Sequence, residues 1–580
     1  MTLDRAPAPL DVLDTAPTLT AALRALVEAR PDATALVVLD RRGRERAVKL
    51  ADLWRRAGAY RAHFAALGLA PGEVVVLVLP TGTDLIEAYF GAVLAGGIPA
   101  LLSTPQRRIA DPDVFTRRVA HVVANSTPRA LVCPPDVAAM FAGERAALLG
   151  ATRVVLPEDV RDATDAGASP PAPHDPRPDE LATMQYSSGT TGTPKGVLVT
   201  HAAVMADLRG MARALALGPD DVGVNWIPLF HDMGLFGAFL LPLLAGCRTV
   251  LIPTEEFMRD PGCWLRAIAS QRGTFSWAPN LAYALCATRL SDRDLAGLDL
   301  SSWRMAMNGS EPVLASTLDA FAQRMAPYGF APEAMSPAWG LAEATVLGTV
   351  HPPGEPPRCE VLDRTALARD DRAVPVAGDG VQVVSVGRPI PGCELEVRDA
   401  SGRALPDRGV GELWLRGPSV FAGYHRDAER TARTLVDGWL RTGDRAYLVD
   451  GYLYFVAREK DLIVIGGEKY VPDDVENAIN RVPGVRIGCA VAFGLLDEAA
   501  GTEAIAAVVE TRETEPRALA VLERAIADAV LGATGVALRH LLLVAPDGVE
   551  KTTGGKLSRS ATRERYRDAL LAGPGAGRRA

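Results

Sequence analysis

The segment Tyr186–Gly196 reads YSSGTTGTPKG, and all but Tyr186 and Pro194 are Ser, Thr, Gly or Lys. Glycines let a backbone approach a ligand closely, hydroxyls and amides hold phosphate oxygens, and a lysine neutralises their charge. Ser187, Ser188, Gly189, Thr190, Thr191, Gly192 and Lys195 are therefore candidate phosphate-binding residues. The spacing is not that of a Walker A loop. Far along the chain, Lys556 follows two glycines in Lys551–Arg559, KTTGGKLSR. A cation there can be carried to a site where negative charge develops on phosphorus. Lys551 is better suited to shaping the same loop.

Three other charged residues stand in settings that suit a nucleotide. Glu343 closes an otherwise apolar and small-residue run, Trp339–Glu343 (WGLAE). A lone carboxylate there fits Mg²⁺ bridging phosphates, or else a structural salt bridge. Asp444 follows Gly443 in Arg441–Asp444 (RTGD) and reads as a turn between two strands. Its carboxylate can accept both hydroxyls of a ribose. Arg458 opens Arg458–Asp461 (REKD) and either assists the ribose or orders the chain after it. Gly309, Ser310 and Glu311 follow a strand-like run. With Trp339 and Gly340 they can border a purine base through backbone contacts and stacking, though Trp339 is equally suited to a core.

His231 lies in an apolar run and can orient a carboxylate or serve as a structural histidine. Trp226, Ile227, Leu229, Phe230, Met233 and Leu235 form one apolar cluster, and Trp277 to Tyr283 form another. Trp226, Phe230, Met233, Trp277, Ala278 and Asn280, from these two clusters, are candidate lining residues of an apolar substrate pocket. The chemistry these groups suit is reaction at a phosphorus atom of a nucleotide, where an attacking anion must approach other negative charge. That reaction brings two anions together and needs cations and fixed donors.

The elements that position these residues follow from the rest of the sequence. A chain of 580 residues is long enough for two to four structural units. Its 48% hydrophobic and 23% charged residues exclude a disordered, collagen-like or coiled-coil protein. A net charge of −8 gives no electrostatic case for nucleic acid or anionic lipid. The uncharged stretch Ala88–Gln106 is broken by Gly96, Gly97 and Pro99, so no membrane span is expected there. The N-terminus lacks the pattern of a signal peptide, and a cytoplasmic location is the expectation. Seven cysteines without a CxxC pair argue against a disulfide framework or a zinc site.

Glu73–Pro80 reads as a buried strand, Asp84–Ala95 as a helix and Ile98–Leu102 as the next strand. Arg161–Glu180, rich in Pro, Asp and Ala, reads as an exposed linker. After Val384 short strands predict a β-rich subdomain. Beyond Arg458–Asp461 the pattern predicts an α+β unit of about 120 residues. The fold class expected is α/β: a large N-terminal domain of parallel-rich sheets, residues 1–457, and a small mobile α+β C-terminal domain, residues 458–580.

YSSGTTGTPKG, WGLAE, RTGD, REKD and KTTGGKLSR, in this order, resemble the signature elements of adenylate-forming enzymes. Several stretches are most similar to fatty acyl-AMP ligases: Trp226–Leu235 (WIPLFHDMGL), Ala278–Tyr283 (APNLAY), Ala342–Thr345 (AEAT), the Arg358–Gly392 region and Pro472–Glu476 (PDDVE). The resemblance implies ATP and Mg²⁺ as cofactors and a fatty or other carboxylic acid as substrate. It implies acyl-adenylate formation and then transfer to the phosphopantetheine thiol of an acyl carrier protein supplied in trans. It also implies a C-terminal domain that rotates about a hinge at Lys460 and Asp461. Ile465–Asp474 (IGGEKYVPDD) departs from the ligase pattern, and Gly466-Gly467-Glu468 is similar to the GGE of CoA ligases. Transfer to CoA is thus the alternative, and a catalytically silent adenylate- or acyl-binding regulator is the alternative of another class. Trp277 stands where a small residue is expected. It is expected either to shorten the acyl tunnel or to lie in the core.

Overall fold

The computed structural model describes residues 9–39, 43–105, 112–165, 172–187, 195–466, 468–497, 502–551 and 556–571. Ser188, Gly189, Thr190, Thr191 and Gly192 lie outside the described residues, as do 552–555 of the Lys556 loop.

Two large sheets form the first part of the chain. One has nine strands, in the order Arg388–Pro389, Thr349–Val350, Met335–Trp339, Met305–Asn308, Phe275–Ala278, Val222–Asn225, Arg248–Leu251, Thr34–Leu39, Glu45–Lys49. From Met335–Trp339 to Thr34–Leu39 neighbouring strands are parallel, and the outer strands are antiparallel. The other has seven strands, in the order Gly423–Tyr424, Lys195–Thr200, Leu181–Ser187, Ile98–Leu101, Val74–Leu77, Ala130–Val132, Arg153–Val155. Its strands are parallel except where Leu181–Ser187, Lys195–Thr200 and Gly423–Tyr424 meet.

Helices Thr83–Leu94 and His201–Ala214 and the π-helical stretch Met233–Leu240 belong to one apolar core shared by both sheets. Every residue of Thr83–Leu94 except Asp84 is buried, so this helix is covered on nearly all sides, and its one buried charge, Glu87, is paired with Arg56. Gly96, with φ +80°, turns the chain out of it.

An antiparallel five-stranded sheet follows, built from Glu394–Arg398, Gly411–Arg416, Trp439–Val449, Leu435–Val436 and Tyr452–Arg458. After the single turn Glu459–Asp461 comes a smaller α+β unit. It has a hairpin (Ile463–Ile465, Glu468–Tyr470), a three-stranded sheet (Val485–Asp497, Thr502–Thr511, Leu538–Val544) and helices Pro472–Asn480, Pro516–Thr534 and Arg559–Leu571. It has apolar clusters of its own. The α/β class expected from the sequence is the one observed.

Two local readings change. Helix Pro157–Asp165 takes up the first residues of the expected linker Arg161–Glu180. Asp444 does not sit in a turn between strands but inside the single strand Trp439–Val449. Gly443 has φ +69° there and the pairing slips next to it, which explains the turn-like sequence. The seven cysteines are unpaired. No helix among the described residues is long and apolar enough to cross a membrane.

The hairpin Cys359–Leu362 with Val381–Val384, and helix Arg364–Arg369 inside it, reach the small unit. Arg364 donates to the Ala533 carbonyl, Arg369 pairs with Glu468, and Asp371 accepts from Lys469 at 2.7 Å. A cavity of about 370 Å³ lies along this contact, lined by Leu314, Arg364, Asp379, Asp474, Asn477 and Arg481 among others.

Candidate active site

Strand Met335–Trp339 ends at Gly340, where a side chain cannot fit: a Cβ would lie 1.8 Å from the Val346 carbonyl oxygen. This close approach folds Leu341–Leu347 back on the strand end and holds Glu343 beside Lys195, the first residue of its strand. Lys195 Nζ is 3.2 Å from Glu343 Oε1 and 3.3 Å from the Tyr424 hydroxyl, and it also lies 4.6 Å from the centre of that ring. Tyr424 donates its hydroxyl to Glu343 Oε1 at 2.6 Å. Burial and the adjoining carboxylate push the Tyr424 phenol well above its ordinary range, so it remains a donor. Sequence reasoning missed Tyr424. It was visible only as an aromatic in Gly423–Tyr424, a two-residue strand whose neighbour Lys195–Thr200 is far away in sequence.

Trp339 donates its indole N–H to Asp444 Oδ2 at 2.8 Å, across 105 residues of sequence. Asp444 is 2% exposed. Its Oδ1 has no hydrogen-bond donor among the described residues and faces Arg458 Nε at 3.3 Å. Burial raises the Asp444 carboxyl above the usual carboxylate range, against the opposing pull of Arg458 and the Trp339 N–H. A buried carboxylate oxygen left open beside an indole fits a sugar hydroxyl, so the residues present suit a ribonucleotide.

Lys556 comes from the small unit into the same region. Burial lowers its ammonium pKa, while Asp232 and Glu311 of the large unit pull it back up. Burial works to raise the Asp232 carboxyl, yet His231 and Lys556 outweigh it and hold that carboxyl below its ordinary range. His231 Nδ1 is 2.6 Å from Asp232 Oδ1, and its Nε2 is 3.5 Å from the Ser310 hydroxyl. Ser310 has φ +76°. Glu311 accepts the backbone N–H of Leu281, and burial raises its carboxyl pKa. Gly309 passes so close to the Ala338 carbonyl that a Cβ would stand 2.8 Å from it. Thus Lys195, His231, Gly309–Glu311, Trp339–Glu343, Asp444, Arg458 and Lys556, spread over 360 residues of sequence, border one region at the carboxyl ends of the parallel strands. Open α/β sheets bind ligands at such ends. Lys460 and Asp461 lie in the turn Glu459–Asp461 that follows Arg458.

The apolar candidates are placed differently. Trp226 stacks on Phe257 with ring centres 3.6 Å apart. Trp277 points at the π-helical stretch, where Gly237 leaves room for it: a Cβ at Gly237 would be 2.9 Å from the indole. Both indole N–H groups lack a partner among the described residues. Met233 and Ala278 are buried, and Phe230 is partly buried against the same core. The Asn280 side chain is engaged inside the protein. It donates one N–H to Thr317 at 3.1 Å and accepts from Asn308 and from the Leu314 N–H, both at 3.3 Å. It therefore ties down the loop preceding helix Ala315–Met325. Ser187 ends its strand, and its side chain lies outside what is described. Among the described residues no three His, Cys, Asp or Glu side chains cluster as a metal site.

A strand-end site with a buried ribose-type carboxylate and a cation brought in by a second unit defines a nucleotide-dependent enzyme of the α/β class. The AMP-binding enzyme family matches residues 23–425, and the chain belongs to that family. It is 34% identical over 513 residues to a Caulobacter vibrioides protein assigned only provisionally as an acyl-CoA synthetase, covering 86% of this chain and 87% of that one. It is 32% identical over 576 residues to the long-chain-fatty-acid–AMP ligase FadD26 of Mycobacterium marinum, covering 94% and 96% of the two chains. A solved structure from work on fatty acyl-adenylate ligases from E. coli and L. pneumophila superposes with a TM-score of 0.87 at 30% identity, covering 98% of this chain and 100% of that one.

Proposed function

We propose that this protein activates a fatty acid with ATP, forming an acyl-adenylate and releasing pyrophosphate, and then passes the acyl group to a thiol. The observation that carries the reading is a buried Asp444 oxygen without a hydrogen-bond donor among the described residues, facing Arg458, with Lys556 of the small unit close enough to act on the same Arg458. The Asp444 oxygen suits a ribose and Lys556 suits charge developing at the α-phosphorus. In the reaction a carboxylate oxygen bonds to the α-phosphorus while the bond to the pyrophosphate oxygen breaks. Lys556 offsets the charge of that crowded phosphorus, Asp444 fixes the ribose, and Lys195 offsets the charge of the phosphates. Mg²⁺ bound to ATP would lower the charge of the phosphates, and Glu343 is the carboxylate to hold it. His231 and Ser310 border the place of the acyl carboxylate. The division into residues 1–457 and 458–580 falls at the end of strand Tyr452–Arg458. The turn carrying Lys460 and Asp461 is the natural pivot for closure and release.

The acceptor we propose is the phosphopantetheine thiol of a separate carrier protein, in keeping with the sequence resemblance to fatty acyl-AMP ligases. CoA is the second reading, favoured by Gly466-Gly467-Glu468 and the Caulobacter relative. The test is pyrophosphate release over a series of fatty acids, followed by offering CoA and holo-carrier protein separately. Release only with a fatty acid, and thioester only on the carrier, is the expected result. Thioester formed on CoA alone replaces the acceptor, and no release with any acid refutes the ligase.

A further inference from the structure

Arg559 has no part in the site described so far. It is the first residue of helix Arg559–Leu571, three positions after Lys556. Its guanidinium grips Glu476 with two bonds, Nε to Oε1 at 2.8 Å and Nη2 to Oε2 at 2.7 Å. Nη2 is also 2.7 Å from Asp473 Oδ1. Nη1 reaches Asp461 Oδ2 at 3.4 Å. Asp473 and Glu476 belong to helix Pro472–Asn480 and move with the small unit, and Glu476 is itself fixed by the Ala492 N–H at 2.9 Å. Asp461 instead ends the turn that joins the two units, three residues after Arg458, whose Nε faces Asp444.

The base of the Lys556 loop is tied to the same helix. Ser558 N–H donates to the Glu550 carbonyl at 2.8 Å, Lys551 and Leu557 form a bridge, and the Glu550 N–H donates to the Thr562 hydroxyl at 3.1 Å. A shift of Arg559 therefore shifts the platform that carries Lys556. Of the four contacts of Arg559, three hold it inside the small unit. The fourth and longest touches the connecting turn, so it is the one that a change of backbone angle in that turn would break first. Only a planar, multi-donor guanidinium can hold the bidentate grip and reach sideways to Asp461 at once; an ammonium cannot.

We infer that Arg559 is a positioning residue that couples the connecting turn, through Asp461, to the placement of Lys556 for adenylation. This rests on the ligase reading above. The test uses the full chain with Arg559→Lys, Asp461→Asn and the double variant, each checked for folding by its melting temperature. Steady-state acyl-AMP formation gives kcat and KM. A separate assay supplies preformed acyl-adenylate with holo-carrier protein or CoA. Arg559→Lys is expected to lower kcat for acyl-AMP formation about 10- to 100-fold, as misplacing a catalytic group does. KM for ATP and for the acid, whose contacts lie in the large unit, should stay within about twofold, and so should transfer from supplied acyl-adenylate. Asp461→Asn should lower the same kcat, and the double variant should fall no further than Arg559→Lys. Multiplying losses in the double variant, an equal fall in both half-reactions, or wild-type kcat would each overturn the coupling. If Arg559→Lys does not fold, Asp461→Asn decides alone: kcat down at constant KM supports the coupling, and unchanged kcat overturns it. Failure of the wild type to release pyrophosphate with any acid would instead refute the ligase reading, so the two failures are distinct.

Discussion

Replacing Asp444 by Asn separates what this residue does for the nucleotide from what it does for the fold. In the ligand-free protein Oδ2 is satisfied by the Trp339 indole N–H at 2.8 Å, while buried Oδ1 has only Arg458 Nε at 3.3 Å. Asparagine keeps one carbonyl oxygen for Trp339 and turns an NH₂ toward Arg458 and the ribose. One charge-assisted acceptor is lost. Hydrogen bonds to a charged group contribute about 1.5–3 kcal/mol, which corresponds to a rise of roughly 10- to 150-fold in the KM for ATP. The loss belongs to the ribose, so the preference for ATP over 2′,3′-dideoxy-ATP should shrink by a similar factor.

Stability should move the other way. The folded pKa of Asp444 lies above its unfolded value, so the group weakens the fold as pH rises through that interval and stays unfavourable above it. The ligand-free Asn variant should therefore melt no lower than wild type at pH 8, and its advantage should fade in acid. Pyrophosphate release with both nucleotides and a melting curve without ligand check the two halves. An unchanged ATP to dideoxy-ATP ratio would show that Asp444 does not read the ribose.

Three further outcomes follow from the same geometry. Lys556→Ala should lower acyl-AMP formation by about 10²–10³ with the melting temperature preserved, the usual cost of one lost electrostatic donor; near-wild-type formation removes Lys556 from the chemistry. Tyr424→Phe keeps the ring under Lys195 but deletes the 2.6 Å bond to Glu343. It should change the Mg²⁺ concentration needed for half-maximal rate by about tenfold or more, read by Mg²⁺ titration at saturating ATP; an unchanged midpoint means that Tyr424 does not position Glu343. Asp474, on the cavity between the two units, has its carboxyl pushed up to about 7 by burial and by neighbouring Asp473, with Arg364 opposing. Its folded pKa exceeds the unfolded one, so it costs stability increasingly from about pH 4 to pH 7. Asp474→Asn should raise the melting temperature at pH 8 and leave it unchanged below pH 4.

The sequence carried the alternation of strands and helices because each element has a period or an apolar run of its own. It carried Lys195, Asp444 and Lys556 because each is a charged residue beside a glycine, Glu343 because it closes an apolar, small-residue run, and Arg458 because it opens the charged run REKD. It did not carry the pairings. The Trp339–Asp444 bond, the Tyr424–Glu343–Lys195 cluster and the approach of Lys556 to Asp232 join residues 105, 81, 148 and more positions apart. No local pattern encodes such contacts; they arise when strands and loops distant in sequence are brought together by the tertiary fold. Asp444 illustrates the difference. Gly443 gives the local sequence of a turn, and the long antiparallel pairing of Trp439–Val449 absorbs the irregularity as a slip in register.

The apolar residues were the least legible, for a physical reason. A tryptophan in an apolar run has one composition whether it lines a tunnel or fills a core, and only its neighbours decide. Trp226 is held by Phe257 in face-to-face contact and by Trp264 edge-on, inside an aromatic group that continues to Tyr283 and Trp303. That group is scaffold, and its other large indoles are satisfied: Trp264 donates to Ser276 and Trp303 to the Met305 carbonyl. Trp277 stands outside that group. It occupies the space that Gly237 leaves in a π-helical stretch, and its N–H, like that of Trp226, has no partner among the described residues. π-Helical segments are costly and are found disproportionately at functional sites. Here the stretch begins two residues after His231, which borders Ser310. An indole set against a glycine in such a segment can limit the length of an acyl chain. Trp226 cannot do so without dismantling the aromatic core around it.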